Sequence, residues 1–315
     1  MQLFFMFIFN IILFQPTYAL TAACKLVEKR FQSRFEKLET DYKKYSSEKF
    51  IKDNKPYFKN GTNNKIVYLL HGFIGSPFEM KPIARLLSEK GYTVVNDLIP
   101  GHGVNGYISN HYDEKNWKAH VKENLDDLRT CSNDISVVGF STGGLLIHDY
   151  MSSNPNFKPQ AAVFYSPFYM AHLAFLAWIK DLASWITPTV SISPLYTVSR
   201  FQDIQVAVLD KDHYMQQIPL DTATVIQKLG TEVYKKPVLN SETPALLFVS
   251  ENDQVLNSDT TLEKIKSDFK NIQIQIFTKK QKIPHHLMVD SVSSVATDVQ
   301  QQGANFILQN NRLNK

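Results

Sequence analysis

A chain of 315 residues, 43% hydrophobic and 20% charged, has the composition of a folded globular protein and enough apolar residues for one large core. Its formal charge of +4 is spread along the chain without long Lys/Arg blocks, which argues against a nucleic-acid partner. The two cysteines, Cys24 and Cys131, with no H-E-x-x-H or paired C-x-x-C spacing, give no support to a metal centre.

The opening "MQLFFMFIFNIILFQPTYALTAAC" carries no charge before Lys25, and its apolar run stops at Gln15 and Pro16, short of the roughly 20 residues that a spanning helix needs. It reads as an export signal over residues 1–23, with Thr17 and Ala19 suited to the positions before signal-peptidase cleavage. This predicts a periplasmic or secreted protein. Two alternatives stand beside it: an uncleaved membrane anchor, or acylation of Cys24, although Leu20 sits one place early for a lipoprotein box. Accordingly the thiols either form one disulfide in an oxidising compartment, or Cys24 is lipidated and Cys131 is free.

Residues 24–60 read as a charged, partly amphipathic arm with Phe31, Phe35 and Leu38 at helical spacing. From residue 61 to about 310 the texture is that of one domain. "KIVYLLHG" is an apolar run of the kind a strand buried on both faces requires. "GSPFEMKPIARLLSEKGY" has helix punctuation: Ser76 as N-cap, Pro77 at the first helical position, Glu79 three residues after the cap, Gly91 at the end. "YTVVNDLI" follows as a strand, and "NWKAHVKENLDDLRT" as a helix with Trp117, Val121, Leu125 and Leu128 on one face. "ISVVGFS" and "AAVFYS" are strands flanking a helix from Gly143 to Met151; "PALLFVSEND" and "IQIQIFTK" are strands around the helical "DTTLEKIKSDF", and a last helix runs from about Leu287 to Gln309. Such alternation predicts an α/β fold with a mainly parallel, doubly wound sheet. A long aromatic stretch from about 168 to 236 interrupts it and reads as a mostly helical cap over the sheet, some of whose residues Phe168, Phe175, Trp178 and Trp185 would face a cleft.

Gly139-Phe140-Ser141-Thr142-Gly143 fits G-x-S-x-G between a buried strand and a helix. A sharp turn there brings the backbone at Gly139 and Gly143 too close for side chains and lifts the Ser141 hydroxyl to the carboxyl edge of the sheet. A hydroxyl is a weak nucleophile, so it needs a base and an orienting acid, and these follow in the order Ser, Asp, His: Asp253 after the strand "LLFVS", and His285 or His286 in "KIPHHLMVD". Gly72 permits a turn after the first buried strand, so the N–H of Phe73 can join that of Thr142 as donors to an oxyanion. His71, before that glycine, reads as a structural hydrogen-bonding residue rather than a second base.

"HGFIGSPFEMKPIARLLSEKGYTVVNDLIPGHG", "NWKAHVKENLDDL", "VVGFSTGGLL", "PALLFVSENDQV" and "PHHLMVD" together resemble the α/β-hydrolase superfamily, in the branch of carboxylesterases and monoacylglycerol lipases related to serine aminopeptidases. The resemblance spans about Lys65 to Gln309, and its Asp and His positions fall on Asp253 and, from the spacing to Asp290, on His285, with His286 second. It departs from the family pattern at "NDLIPGHGVNGY", where relatives often carry a serine after Gly-His-Gly. Epoxide hydrolases and haloalkane dehalogenases place a carboxylate at the elbow, where this chain has Ser141. The implied function is an exported serine hydrolase of carboxylic esters, with a lipid or small-molecule ester as partner, no cofactor, and membrane association through the N-terminus. Thioesterase, acyltransferase and aminopeptidase activities are alternatives on the same three residues, and a lipid-binding envelope lipoprotein without catalysis is an alternative of another class.

Overall fold

The structure, a computed structural model, describes residues 22–47, 49–104, 107–172, 189–191, 205–237 and 239–311. In chain order the strands are β1 (Tyr57–Lys59), β2 (Ile66–Leu70), β3 (Thr93–Asp97), β4 (Ile135–Phe140), β5 (Ala162–Tyr165), β6 (Thr189–Ser191), β7 (Gln217–Pro219), β8 (Ala245–Ser250) and β9 (Ile272–Phe277). The α-helices are α1 (Ala22–Tyr42), α2 (Lys81–Ser88), α3 (Glu114–Cys131), α4 (Thr142–Ser153), α5 (Gln205–Leu209), α6 (Leu220–Tyr234), α7 (Ser258–Asp268) and α8 (Ala296–Asn310). Seven strands form one sheet in the order β1-β3-β2-β4-β5-β8-β9, with β1 antiparallel to β3 and the other pairs parallel; β6 and β7 pair antiparallel outside it.

Every residue of β2, β3, β4, β5 and β8 is buried, as expected for the predominantly apolar runs of β2, β4, β5 and β8, and in β3 this burial includes the polar Thr93, Asn96 and Asp97. Alternate residues serve opposite faces. Tyr68, Leu70, Val95, Val137, Phe164 and Leu247 pack in the layer that includes residues of α1, α3, α4, α6 and α7, while Val67, Leu69, Val94, Val138, Val163 and Leu246 pack with α2 and α8. Each fully buried Val, Leu or Phe contributes roughly 1.5–3 kcal/mol relative to exposure, so this double-faced centre is the rigid base on which loops are held. The chain runs outward from β2 to β3, then returns to place β4 on the other side of β2. The crevice at that reversal, beyond the carboxyl ends of β2 and β4, is where open α/β sheets hold ligands.

The arm is part of the fold. Helix α1 buries Val27, Phe31, Leu38 and Tyr42, and a disulfide joins Cys24 to Cys131 at the end of α3, with Cα atoms 4.7 Å apart. Arg30 and Arg34 pair with Asp127 of α3, and Arg34 Nε donates to Asn124, whose amide donates to Asp97 at the end of β3. Tyr42 reaches the Gly-His-Gly loop, its hydroxyl accepting from Gly101 N–H and donating to the His102 carbonyl.

Two helices differ from the sequence expectation. The stretch after Ser76 starts as a 3-10 turn, Pro77–Met80, before α2. The last helix starts at Ala296 rather than near Leu287, because residues 287–295 fold into successive turns, and Ser293 turns its hydroxyl back to Val295 N–H in competition with helical bonding. Of the insertion at 168–236, α6 is described and rests against α4 and α3.

Candidate active site

The turn from β4 into α4 follows from its glycines. A Cβ on Gly139 would stand 2.5 Å from the Gly144 Cα, and one on Gly143 would stand 2.2 Å from the Leu70 carbonyl oxygen, so neither position accepts a side chain. Ser141 between them has φ 49° and ψ −115°, a conformation that L residues rarely adopt. It is over-determined by its neighbours: its N–H donates to Tyr165 O, and its carbonyl accepts from Leu145 and Phe168 N–H. The hydroxyl is thereby lifted off the sheet at the positive end of α4.

His285 stands in the loop after β9, and Asp253 in the turn after β8. Ser250 anchors the first loop by donating to Ile283 O at 2.6 Å. His285 Nε2 lies 2.9 Å from Ser141 Oγ, and its Nδ1 lies 2.7 Å from Asp253 Oδ2. The other carboxylate oxygen of Asp253 accepts from Val255 and Leu256 N–H at 2.8 and 2.9 Å, which fixes the carboxylate plane. With Asp253 as acceptor, Nδ1 carries the imidazole proton and Nε2 is left to accept from Ser141. All three residues are buried, with Ser141 at 4% exposure. The twin histidines are thus separated by geometry: His286 turns away, edge-on to His285, and burial together with the neighbouring imidazole drives its own pKa well below the ordinary value.

On the other side of Ser141 is the turn after β2. Neither Phe73 N–H nor Thr142 N–H has an acceptor among the described residues, and both flank the elbow. The peptide that carries the Phe73 N–H is held through its carbonyl: Gly72 O accepts from His71 Nδ1 at 2.8 Å and from Gly75 N–H at 3.3 Å. His71 Nε2 in turn accepts from Ile99 N–H, and burial pushes the imidazole down to about 3, so it is neutral with a fixed tautomer. That matches its expected structural role. Ile74, a β-branched residue at φ 59°, is pinned by Met215 N–H, which donates to its carbonyl at 2.8 Å.

Phe168 lies beside the elbow, buried in the larger core with its N–H on Ser141 O, whereas Phe175, Trp178 and Trp185 lie outside the described residues. Sequence reasoning missed the reach of Tyr42 to the Gly-His-Gly loop and the true position of Glu79. Glu79 does not close a capping box; it points inward, 3% exposed, and its Oε2 accepts from Gly72 N–H at 2.9 Å. The available signal was its spacing: Glu79 is four residues before the buried Ile83 and so shares its inward face.

The family described as serine aminopeptidase, S33 (Hydrolase_4) matches residues 61–301. The thermostable monoacylglycerol lipase of Bacillus sp. (strain H-257) is 28% identical over 226 residues, covering 69% of this chain and 82% of that protein. The carboxylesterase of Bacillus subtilis (strain 168) is 34% identical over 93 residues, 29% of this chain and 37% of that one. Among solved structures, the Paleococcus ferrophilus monoacylglycerol lipase superposes with a TM-score of 0.63 at 17% identity, covering 81% of this chain and 98% of that one. A structure of the metagenome-derived lipolytic enzymes LipS and LipT gives a TM-score of 0.66 at 15% identity, covering 83% and 100%. These superpositions carry the fold, which is that of an α/β hydrolase.

Proposed function

We propose, for a chain that belongs to the serine aminopeptidase S33 family of hydrolases, that it is an exported serine esterase of the carboxylesterase or monoacylglycerol lipase kind. The observation that carries the reading is the continuous line from Asp253 Oδ2 through the His285 imidazole to Ser141 Oγ, at 2.7 and 2.9 Å, ending at the positive end of α4.

In this reading Ser141 Oγ attacks the ester carbonyl carbon while its proton passes to His285 Nε2. Asp253 holds the tautomer and stabilises the imidazolium. The carbonyl oxygen becomes an oxyanion and takes up the two vacant N–H donors, Phe73 and Thr142, each worth roughly 10²–10³ in rate. Collapse breaks the bond to the alcohol, which leaves with the proton from Nε2. Water then attacks the acyl-enzyme with His285 again as base, releasing the acid and restoring Ser141. The ester preference rests on the extent of likeness to the Bacillus monoacylglycerol lipase.

Export is supported by the uncharged apolar segment before Lys25 and by the disulfide from Cys24, which fits an oxidising compartment and uses the thiol that acylation would need. A lipid ester as substrate belongs to the same proposal; attachment to a membrane through the N-terminal segment is the alternative to cleaved export and requires that the leader be retained.

The test is covalent labelling with a fluorophosphonate, lost in Ser141→Ala, followed by turnover of monoacylglycerols and p-nitrophenyl esters against aminoacyl amides. A folded wild-type protein that takes no label overturns the hydrolase mechanism and leaves a lipid-binding protein. Turnover of the amides alone replaces esterase by aminopeptidase. An unprocessed Met1 on protein recovered from its native envelope refutes cleavage of the leader.

A further inference from the structure

The turn that presents Phe73 N–H hinges on Gly72, the residue type with the greatest backbone freedom. A donor worth two or three orders of magnitude in rate must be held before the reaction begins, so a glycine at this place needs ties on both of its peptides. The Gly72–Phe73 peptide is tied through its carbonyl by His71 and Gly75. Among the described residues, the His71–Gly72 peptide is tied through its N–H by one side chain, the Glu79 carboxyl.

The surroundings show that this contact is built. Glu79 is buried at 3% exposure, and a carboxyl withdrawn from water in that way is costly unless it serves as a fixed acceptor. Gly75 leaves the passage for it: a Cβ there would stand 2.4 Å from the carboxyl carbon and from Oε2. Around the carboxyl are the Tyr214 hydroxyl, from the segment before β7, and His286, whose Nε2 lies 4.0 Å from Oε1. His285 also lies within electrostatic reach. Burial pushes the Glu79 carboxyl up to about 8 and holds His286 well below its ordinary value, so near neutral pH the pair is mostly uncharged beneath the site where negative charge would develop.

We infer that Glu79 is a positioning residue for the oxyanion turn: through Gly72 N–H it fixes the backbone that aims Phe73 N–H at the developing oxyanion. The inference rests on the reading of Ser141 as nucleophile. It assigns Glu79 no proton transfer; its work is done by one acceptor oxygen of the right reach.

Three substitutions separate this role from others. Glu79→Gln keeps an acceptor oxygen at the same reach, Glu79→Asp keeps the acid but shortens it by one methylene, and Glu79→Leu removes the acceptor. With a short-chain p-nitrophenyl ester at pH 7, Glu79→Gln should retain kcat within about threefold, while Glu79→Asp and Glu79→Leu should lose about 10- to 100-fold in kcat with KM changed less than threefold, since a donor is displaced rather than deleted. Affinity for a trifluoromethyl ketone, whose adduct on Ser141 presents an oxyanion, should fall in parallel with kcat. If Glu79→Leu does not fold, the Gln and Asp pair decides the matter. Equal impairment of Gln and Asp, a change confined to KM, or unchanged ketone affinity in the Asp variant each overturns the inference. Fluorophosphonate labelling of the wild type is the control: its absence removes the nucleophile reading itself, whereas labelling with full activity in Glu79→Asp removes only the role of Glu79.

Discussion

Reducing the Cys24–Cys131 disulfide should destabilise the whole protein, and the size of the effect follows from the chain it closes. The two cysteines are 107 positions apart, and a cross-link over such a loop removes about 16 cal/mol/K of entropy from the unfolded chain, or about 5 kcal/mol at 25 °C. In the native state little should change, because α1 also stays attached through Val27 and Phe31 in the core and through the Arg30 and Arg34 pairs with Asp127. The Cys24→Ser/Cys131→Ser double variant, unfolded in urea beside the oxidised wild type, should therefore shift its midpoint down by an amount equivalent to several kcal/mol, with a somewhat larger m-value because the unlinked unfolded chain exposes more surface. Thiol titration of the denatured, unreduced protein should find no free thiol, and two after reduction. Two results would refute the reasoning. An unmoved midpoint would mean that the bond does not constrain the unfolded chain. A separate early transition for α1 would place the arm outside the cooperative unit.

Asp253→Asn should leave the fold intact and lower kcat about 10⁴-fold, because the amide no longer enforces the Nδ1–H tautomer of His285; steady-state ester hydrolysis measures it. His285→Ala should abolish fluorophosphonate labelling, whereas His286→Ala should keep it, and the reverse ranking would overturn the assignment between the twin histidines. The buried Glu79 carboxyl binds its proton more tightly folded than unfolded, up to about 8 against 4.5, so its stabilising protonated form is fully present below pH 4.5 and is lost as pH rises through 8. At about 1.4 kcal/mol per pH unit the wild type should lose on the order of 5 kcal/mol relative to Glu79→Gln across that window, read from urea midpoints at pH 4.5, 6.5 and 8.5; parallel curves would refute burial of the acid. Gly143→Ala should not yield a folded protein, since its methyl meets the Leu70 carbonyl oxygen at 2.2 Å; soluble, labelled protein would contradict the elbow geometry.

Much of the architecture was legible because the signals that specify it are local. The apolar runs of β2, β4 and β8 read most simply as strands buried on both faces, and Trp117, Val121, Leu125 and Leu128 mark the inner face of α3 in sequence as in space, whereas the Asp113 cap that starts it is a structural finding. Ser141, Asp253 and His285, which the structure brings within hydrogen-bonding distance, were legible as candidates, since each follows a strand and their order is the one the proposed mechanism needs, even though they are up to 144 positions apart. What sequence could not supply was direction. Glu79 at the third position after Ser76 reads as a capping residue in any helix-start pattern, and only the close approach of Gly75 shows that its carboxyl goes toward Gly72. Likewise the spacing in "PHHL" leaves two candidate bases, and the Ile283 anchor on Ser250 decides which ring meets Asp253. The pairing of Cys24 with Cys131 depends on α1 lying along α3, a tertiary fact with no local trace.

The short strand β1 has a consequence of another kind. Without it, β3 would be the outermost strand on its side of the sheet, with a row of unpaired backbone donors and acceptors open to any passing extended chain. Three residues, Tyr57 to Lys59, occupy that row in antiparallel register against Val94, Val95 and Asn96, and they lie just before residue 61, where the hydrolase family match begins. The arm thus acts as a selvedge for the sheet. A chain trimmed to the family boundary would keep Ser141, Asp253 and His285 but would lose α1 with its disulfide and would expose an adhesive border of buried-type strand, so self-association would accompany its loss of stability.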